Sequence, residues 1–124
     1  MQGNEKKSKR KMKKLENEVL MGKKAKELGL NVPEVEGVYL IKNKDSEKLF
    51  PGVVVDYLDG KMVNEIVENK LEGYEKIRNL WLKETEKASQ FFEEHDFTNN
   101  SNAIYVPKED KVYLFDFADW KLKE

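Results

Sequence analysis

The sequence predicts an α+β fold: one leading helix and two β-hairpins arranged around two further helices. Three observations predict it. Apolar residues recur every three or four positions over residues 14–28 and 73–94, the spacing of a helix face. Branched and aromatic residues crowd into four short runs, residues 37–42, 52–58, 103–106 and 112–115. Each pair of runs is joined by a short polar stretch. At 124 residues the chain makes one domain with a modest core.

In chain order, the first feature is a basic block. Residues 6–14 carry seven Lys or Arg and no acid, whereas the net charge of the chain is −1, so the remainder is net acidic. The division expected is a basic N-terminal arm, residues 1–14, and a single α+β domain, residues 15–124. The block repels itself and reads either as a solvated arm or exposed first helical turns, or as a contact for nucleic acid or another polyanion. It contains no aromatic residue, so it offers nothing for single-stranded bases to stack on.

The first helix, residues 14–28, presents Leu15, Met21, Gly22, Ala25 and Leu28 on one face and stops at Gly29, ahead of Pro33. Glu18 falls on that face. An acid there either finds a partner in the fold or sits at the border of the stripe among nearby lysines. Residues 37–42 and 52–58 then form a hairpin over a polar turn, and Asp59-Gly60 turns the chain into a helix over residues 62–70 with Val63, Ile66 and Val67 inward. The longer helix, residues 73–94, carries Tyr74, Ile77, Trp81, Ala88 and Phe91 on its stripe, with Leu80, Leu82 and Phe92 widening it. These aromatics read as core. His95 is placed to cap the last carbonyls.

A polar loop over residues 95–102 leads to the strand Ala103-Ile104-Tyr105-Val106. Pro107 and four charged residues turn the chain, and Val112-Tyr113-Leu114-Phe115 returns antiparallel. That return delivers Asp116 beside Asn102, so a carboxylate and a carboxamide converge.

Asn102 followed by Asp116-Phe117-Ala118 resembles the catalytic-loop Asn and the Asp-Phe-Gly motif of the protein kinase superfamily, taken broadly to include lipopolysaccharide kinases, aminoglycoside phosphotransferases and RIO-type kinases. The resemblance spans residues 15–120 and implies a partial protein kinase-like fold. It implies that Asn102 and Asp116 hold Mg2+ on ATP, since a hard cation takes hard oxygen ligands. It makes Glu18 the helix acid that orients ATP phosphates through a lysine, and Leu30 to Val35 the linker after that helix. Asp56-Tyr57-Leu58-Asp59-Gly60 resembles the hinge, where backbone groups of Asp56 and Leu58 would meet adenine.

The family's loop His matches His95, but its catalytic Asp falls at Phe97, which accepts no proton. Either the loop carries one extra residue and Asp96 is the base, or the base is missing. Ala118 replaces the motif glycine. The Gly-rich loop and the lysine strand have no room in the basic leader, and no activation segment follows Trp120.

The resemblance therefore implies a truncated or degenerate kinase-like domain, a binding or regulatory module with a remnant ATP–Mg2+ site and impaired phosphotransfer. Two alternatives stay open: a small ATP-dependent phosphotransferase completed by another chain, and a nucleic-acid-binding protein using Lys6 to Lys14. The open strand edge over residues 53–57 implies a homodimer or a protein partner.

Composition excludes other classes. With no cysteine there is no disulfide framework, thiolate zinc site or cysteine nucleophile, and the single histidine rules out a multi-histidine metal centre. No apolar run reaches the roughly 20 residues that cross a bilayer. Cytoplasm is the compartment expected.

Overall fold

Three helices and two small antiparallel sheets make up the architecture seen in a computed structural model, which describes residues 2–42, 45, 47–93 and 99–123, with side chains from residue 9 onward. Helix α1 (Gln2–Glu27) lies across a two-stranded sheet of β1 (Val35–Lys42) and β2 (Leu49–Val55). Gly22 permits the contact. A Cβ there would lie 2.6 Å from Val35 Cγ2 and 3.0 Å from Phe117 Cδ2, so only a glycine lets β1 and the Phe117 ring close onto the helix together.

The second sheet has the order β3-β4-β5, from β3 (Lys61–Met62), β4 (Ala103–Val106) and β5 (Lys111–Leu114). Its last turn is held from three sides. Tyr105 Oη donates to Asp110 Oδ1 at 2.6 Å, Lys76 Nζ lies 2.8 Å from Asp110 Oδ2, and Tyr113 Oη donates to Glu109 Oε1 at 2.6 Å. Helices α2 (Val63–Glu68) and α3 (Tyr74–Ser89) pack against each other, and α3 supports β5.

One core joins all of this. Ala25, Val63, Ala88, Phe92, Leu114, Phe117 and Trp120 are each 0–2% exposed. Trp120 stacks edge-on against Phe92, with ring centroids 4.9 Å apart, and against Phe117 at 4.8 Å. Such pairs add about 0.5–1.5 kcal/mol each beyond the area they bury.

Several boundaries differ from the sequence reading. Helix α1 extends N-terminally through the basic block to Gln2. Strand β2 starts at Leu49 and ends at Val55, so Asp56 to Asp59 are a connecting segment. Met62 is in a strand rather than a helix.

Helix α3 stops at Ser89, short of residue 94, because the following backbone pairs elsewhere: Glu93 N–H donates to Lys121 O at 2.8 Å and Lys123 N–H to Phe91 O at 2.9 Å. Leu82, expected inward, is 47% exposed; the inner positions belong to Glu84 and Thr85. Among the described residues, no helix is long and apolar enough to cross a membrane.

Candidate functional site

A cleft of about 580 Å³ opens between α1, the segment after β2 and the end of the β4–β5 hairpin. Its wall includes Glu18, Val55, Asp56, Leu58, Ile104 and Asp116, so four of the residues singled out in the sequence, Glu18, Asp56, Leu58 and Asp116, share one cavity. The volume lies within the roughly 300–1,000 Å³ of small-molecule sites, and the wall combines apolar side chains with a few polar groups. Asn102 is adjacent: its carbonyl accepts from Phe115 N–H at 3.1 Å, one residue before Asp116. His95, Asp96 and Phe97 lie outside the described residues.

The hairpin end is built locally. Asn99 Oδ1 accepts from Ser101 N–H at 3.0 Å and from Ser101 Oγ at 2.8 Å, closing the 3-10 turn Asn100–Asn102 from which β4 starts. Ala103 then pairs with Leu114.

Beyond β5, Asp116 takes φ 66°, in the left-handed region that costs an ordinary residue about 1–2 kcal/mol. The surrounding structure holds it there. Phe117 is buried on one side, and Asn17 of α1 donates through Nδ2 to Ala118 O at 2.8 Å and to Trp120 O at 3.1 Å. Backbone strain persists where neighbours over-determine it, and it clusters at functional positions.

The other wall is pinned through the linker between α1 and β1. Asp56 N–H donates to Glu34 O at 2.9 Å. Among the described residues, the Asp56 carbonyl and the Leu58 N–H meet no hydrogen-bonding partner, which leaves one acceptor and one donor of this segment for a bound molecule. Upstream, the buried Glu84 accepts from Asn31 N–H at 2.9 Å, Asn31 O accepts from Leu114 N–H at 2.9 Å, and Lys87 Nζ donates to Gly29 O at 2.7 Å. The α1–β1 linker is thereby tied to both α3 and β5.

Electrostatically the cleft is acidic at one end. Glu18 is half-buried, and desolvation first, then the negative charge of Asp116, push its carboxyl above the usual 4.5. A raised acid binds its proton more tightly in the folded chain than in the unfolded one, so stability falls as pH rises from 4.5 through the folded value. The Glu18→Gln chain is therefore expected to melt higher than the parent at pH 7 and at the same temperature near pH 4. Thermal denaturation across that range checks it, and a variant that melts lower at pH 7 would show that the carboxylate is stabilising.

Among the described residues, no group of three or more His, Cys, Asp or Glu stands close enough to hold a metal ion alone. Two of the three carboxylates lining the cavity, Glu18 and Asp116, instead suit Mg2+, which binds through one or two carboxylates and completes its shell with waters and substrate phosphates. That donor set fits a metal carried in on a phosphorylated ligand.

Sequence reasoning missed Asn17 and Glu84. Both carried a signal, an amide in mid-helix and an acid four residues before Ala88 on the apolar stripe, since such residues sit poorly there without a backbone group to bind.

Compared with protein-family models, with curated proteins and with solved structures, the chain matches none.

Proposed function

We propose that this chain is a kinase-like nucleotide-binding module, a pseudokinase in the broad sense, which takes ATP with Mg2+ in the cleft and transfers phosphate weakly or not at all. The observation that carries the reading is the shared cavity of Glu18, Asp56, Leu58 and Asp116. The resemblance in sequence assigns those residues to one site, and they come from three separated stretches of the chain.

In this reading the purine lies against Val55, Ile104 and Phe115, with the Asp56 carbonyl and the Leu58 N–H available to its edge. Asp116, with Asn102 beside it, supplies oxygen ligands to the metal. Bound Mg2+ would supply charge neutralisation for the phosphates, and it would relieve the repulsion that Glu18 feels from Asp116. Phe97 at the position of the base is the ground for impaired transfer.

A thermal-shift measurement with ATP, with and without Mg2+, tests this. A ligand at a hundred times its dissociation constant adds about 2.7 kcal/mol of stability. ATP with Mg2+ is expected to raise the melting temperature by several degrees, and Asp116→Asn to remove the Mg2+-dependent part. No shift under either condition sinks the nucleotide reading. Steady ATP turnover that is lost in Asp116→Asn overturns the non-catalytic part, and turnover lost only in Asp96→Asn assigns Asp96 as the base.

A protein partner or a second copy is favoured by the β1–β2 sheet. Among the described residues β2 pairs only with β1, and Tyr39, Leu40, Leu49 and Phe50 are exposed on the same sheet. Sedimentation at several concentrations is expected to show self-association; a strict monomer at all of them leaves only the protein partner.

A further inference from the structure

We propose that the N-terminal part of α1 docks onto the phosphate backbone of duplex nucleic acid, independently of what the cleft binds. Residues 6–14 belong to one continuous helix, Gln2–Glu27, whose C-terminal half is anchored in the core by Met21 and Ala25. The block is therefore a rigid extension of the domain rather than a separate tail.

At 3.6 residues per turn, Lys9, Arg10, Lys11, Lys13 and Lys14 fall within an arc of roughly 200° around the helix. Lys9, Arg10, Lys11, Lys13 and Lys14 are exposed, and among the described residues the one ion pair they make is from Lys14 to Asp119, at 3.8 Å.

Holding these charges there is unfavourable for the chain alone. Cations three and four apart along the helix repel one another. An external polyanion reverses the sign of that contribution.

The chemistry of the block selects which polyanion. Insertion into a lipid surface needs an apolar face, and Met12 is the one apolar residue in the block. Single strands are held by stacking, and the block has no aromatic residue. What remains is a positively charged rod, about 10–12 Å across, the width that a B-DNA major groove of about 12 Å admits. The rest of the chain is net acidic and is repelled by phosphate, which leaves this helix as the contact and turns it toward the duplex.

Fluorescence anisotropy of the full chain with a labelled mixed-sequence duplex DNA, between about 50 and 200 mM KCl, tests the proposal. Five phosphate contacts would give a log–log slope of binding constant against salt of about −4 to −5. Far-UV circular dichroism should keep its helical signal as the duplex is added, because α1 is already helical from Gln2.

The combined Lys9→Gln, Arg10→Gln, Lys11→Gln and Lys13→Gln chain should melt no lower than the parent, because these side chains are exposed and repel one another, and lose at least about tenfold in affinity, with the slope falling toward −1. Unchanged affinity in that variant overturns the proposal. So does tighter binding to a single strand, to polyglutamate, or to vesicles of phosphatidylcholine and phosphatidylserine in equal parts. Tighter binding to duplex RNA, whose major groove is too narrow for a helix, would overturn the groove placement.

Discussion

Replacing Trp120 by alanine is expected to cost about 3–5 kcal/mol of stability, which for a chain of this size is a melting temperature lower by on the order of 10–20 °C. The indole is 2% exposed and bridges two parts of the core, resting edge-on against Phe92 just after α3 and against Phe117 just after Asp116. Its removal leaves a cavity bounded by side chains from α1, α3 and the hairpin end, which cannot collapse together without moving backbone. Its carbonyl also accepts from Asn17.

The loss should reach the cleft as well, since Phe117 and the Asn17 bonds hold Asp116 in its left-handed conformation. Trp120→Phe, which keeps an aromatic edge contact, should cost less than half as much. Urea denaturation of the two variants decides this. A cost below about 1 kcal/mol for Trp120→Ala would mean the site relaxes around the gap, and that Trp120 does not tie the two halves together.

Gly60→Ala should be comparably damaging for a different reason. A Cβ at residue 60 would lie 2.0 Å from Tyr105 O, 2.8 Å from Tyr105 C and 3.2 Å from Val106 Cα, all of them backbone atoms that no rotamer change can move. Relief requires β3 to leave β4. Strand β3 runs directly into α2, where Val63 and Ile66 are buried, so the displacement spreads into the core.

A loss of about 3–5 kcal/mol is expected, at the upper end for single substitutions. Amide exchange should lose protection at Lys61 and Met62. Gly52→Ala is the comparison: there the crowding atom is Ile41 Cδ1, at 2.5 Å, the end of a side chain that can rotate, and the cost should be a small fraction of the other. Equal costs at the two positions would refute the close approach of β3 to β4 as the cause.

The sequence by itself determined the elements whose periodicity is undisturbed. The strand Ala103–Val106, its charged turn and its return were legible because alternation and turn chemistry act over a few neighbouring residues. The same holds for the stop of α1 at Gly29, where φ is 86°, and for the burial of Ile77 and Ala88 on α3.

Only the tertiary structure decided that Glu84 turns inward while Leu82 faces water, because the reward for burying that carboxylate is the N–H of Asn31, 53 positions away in sequence. It also decided where α3 ends, through backbone bonds to residues 121–123, and added β3, a two-residue strand with no pattern of its own.

The cleft divides in the same way. Asp116, Glu18, Asp56 and Leu58 were named together through the family resemblance. The φ of Asp116 and the role of Asn17 were not legible, because a hydrogen bond across 101 positions leaves no period in the chain for a local pattern to display.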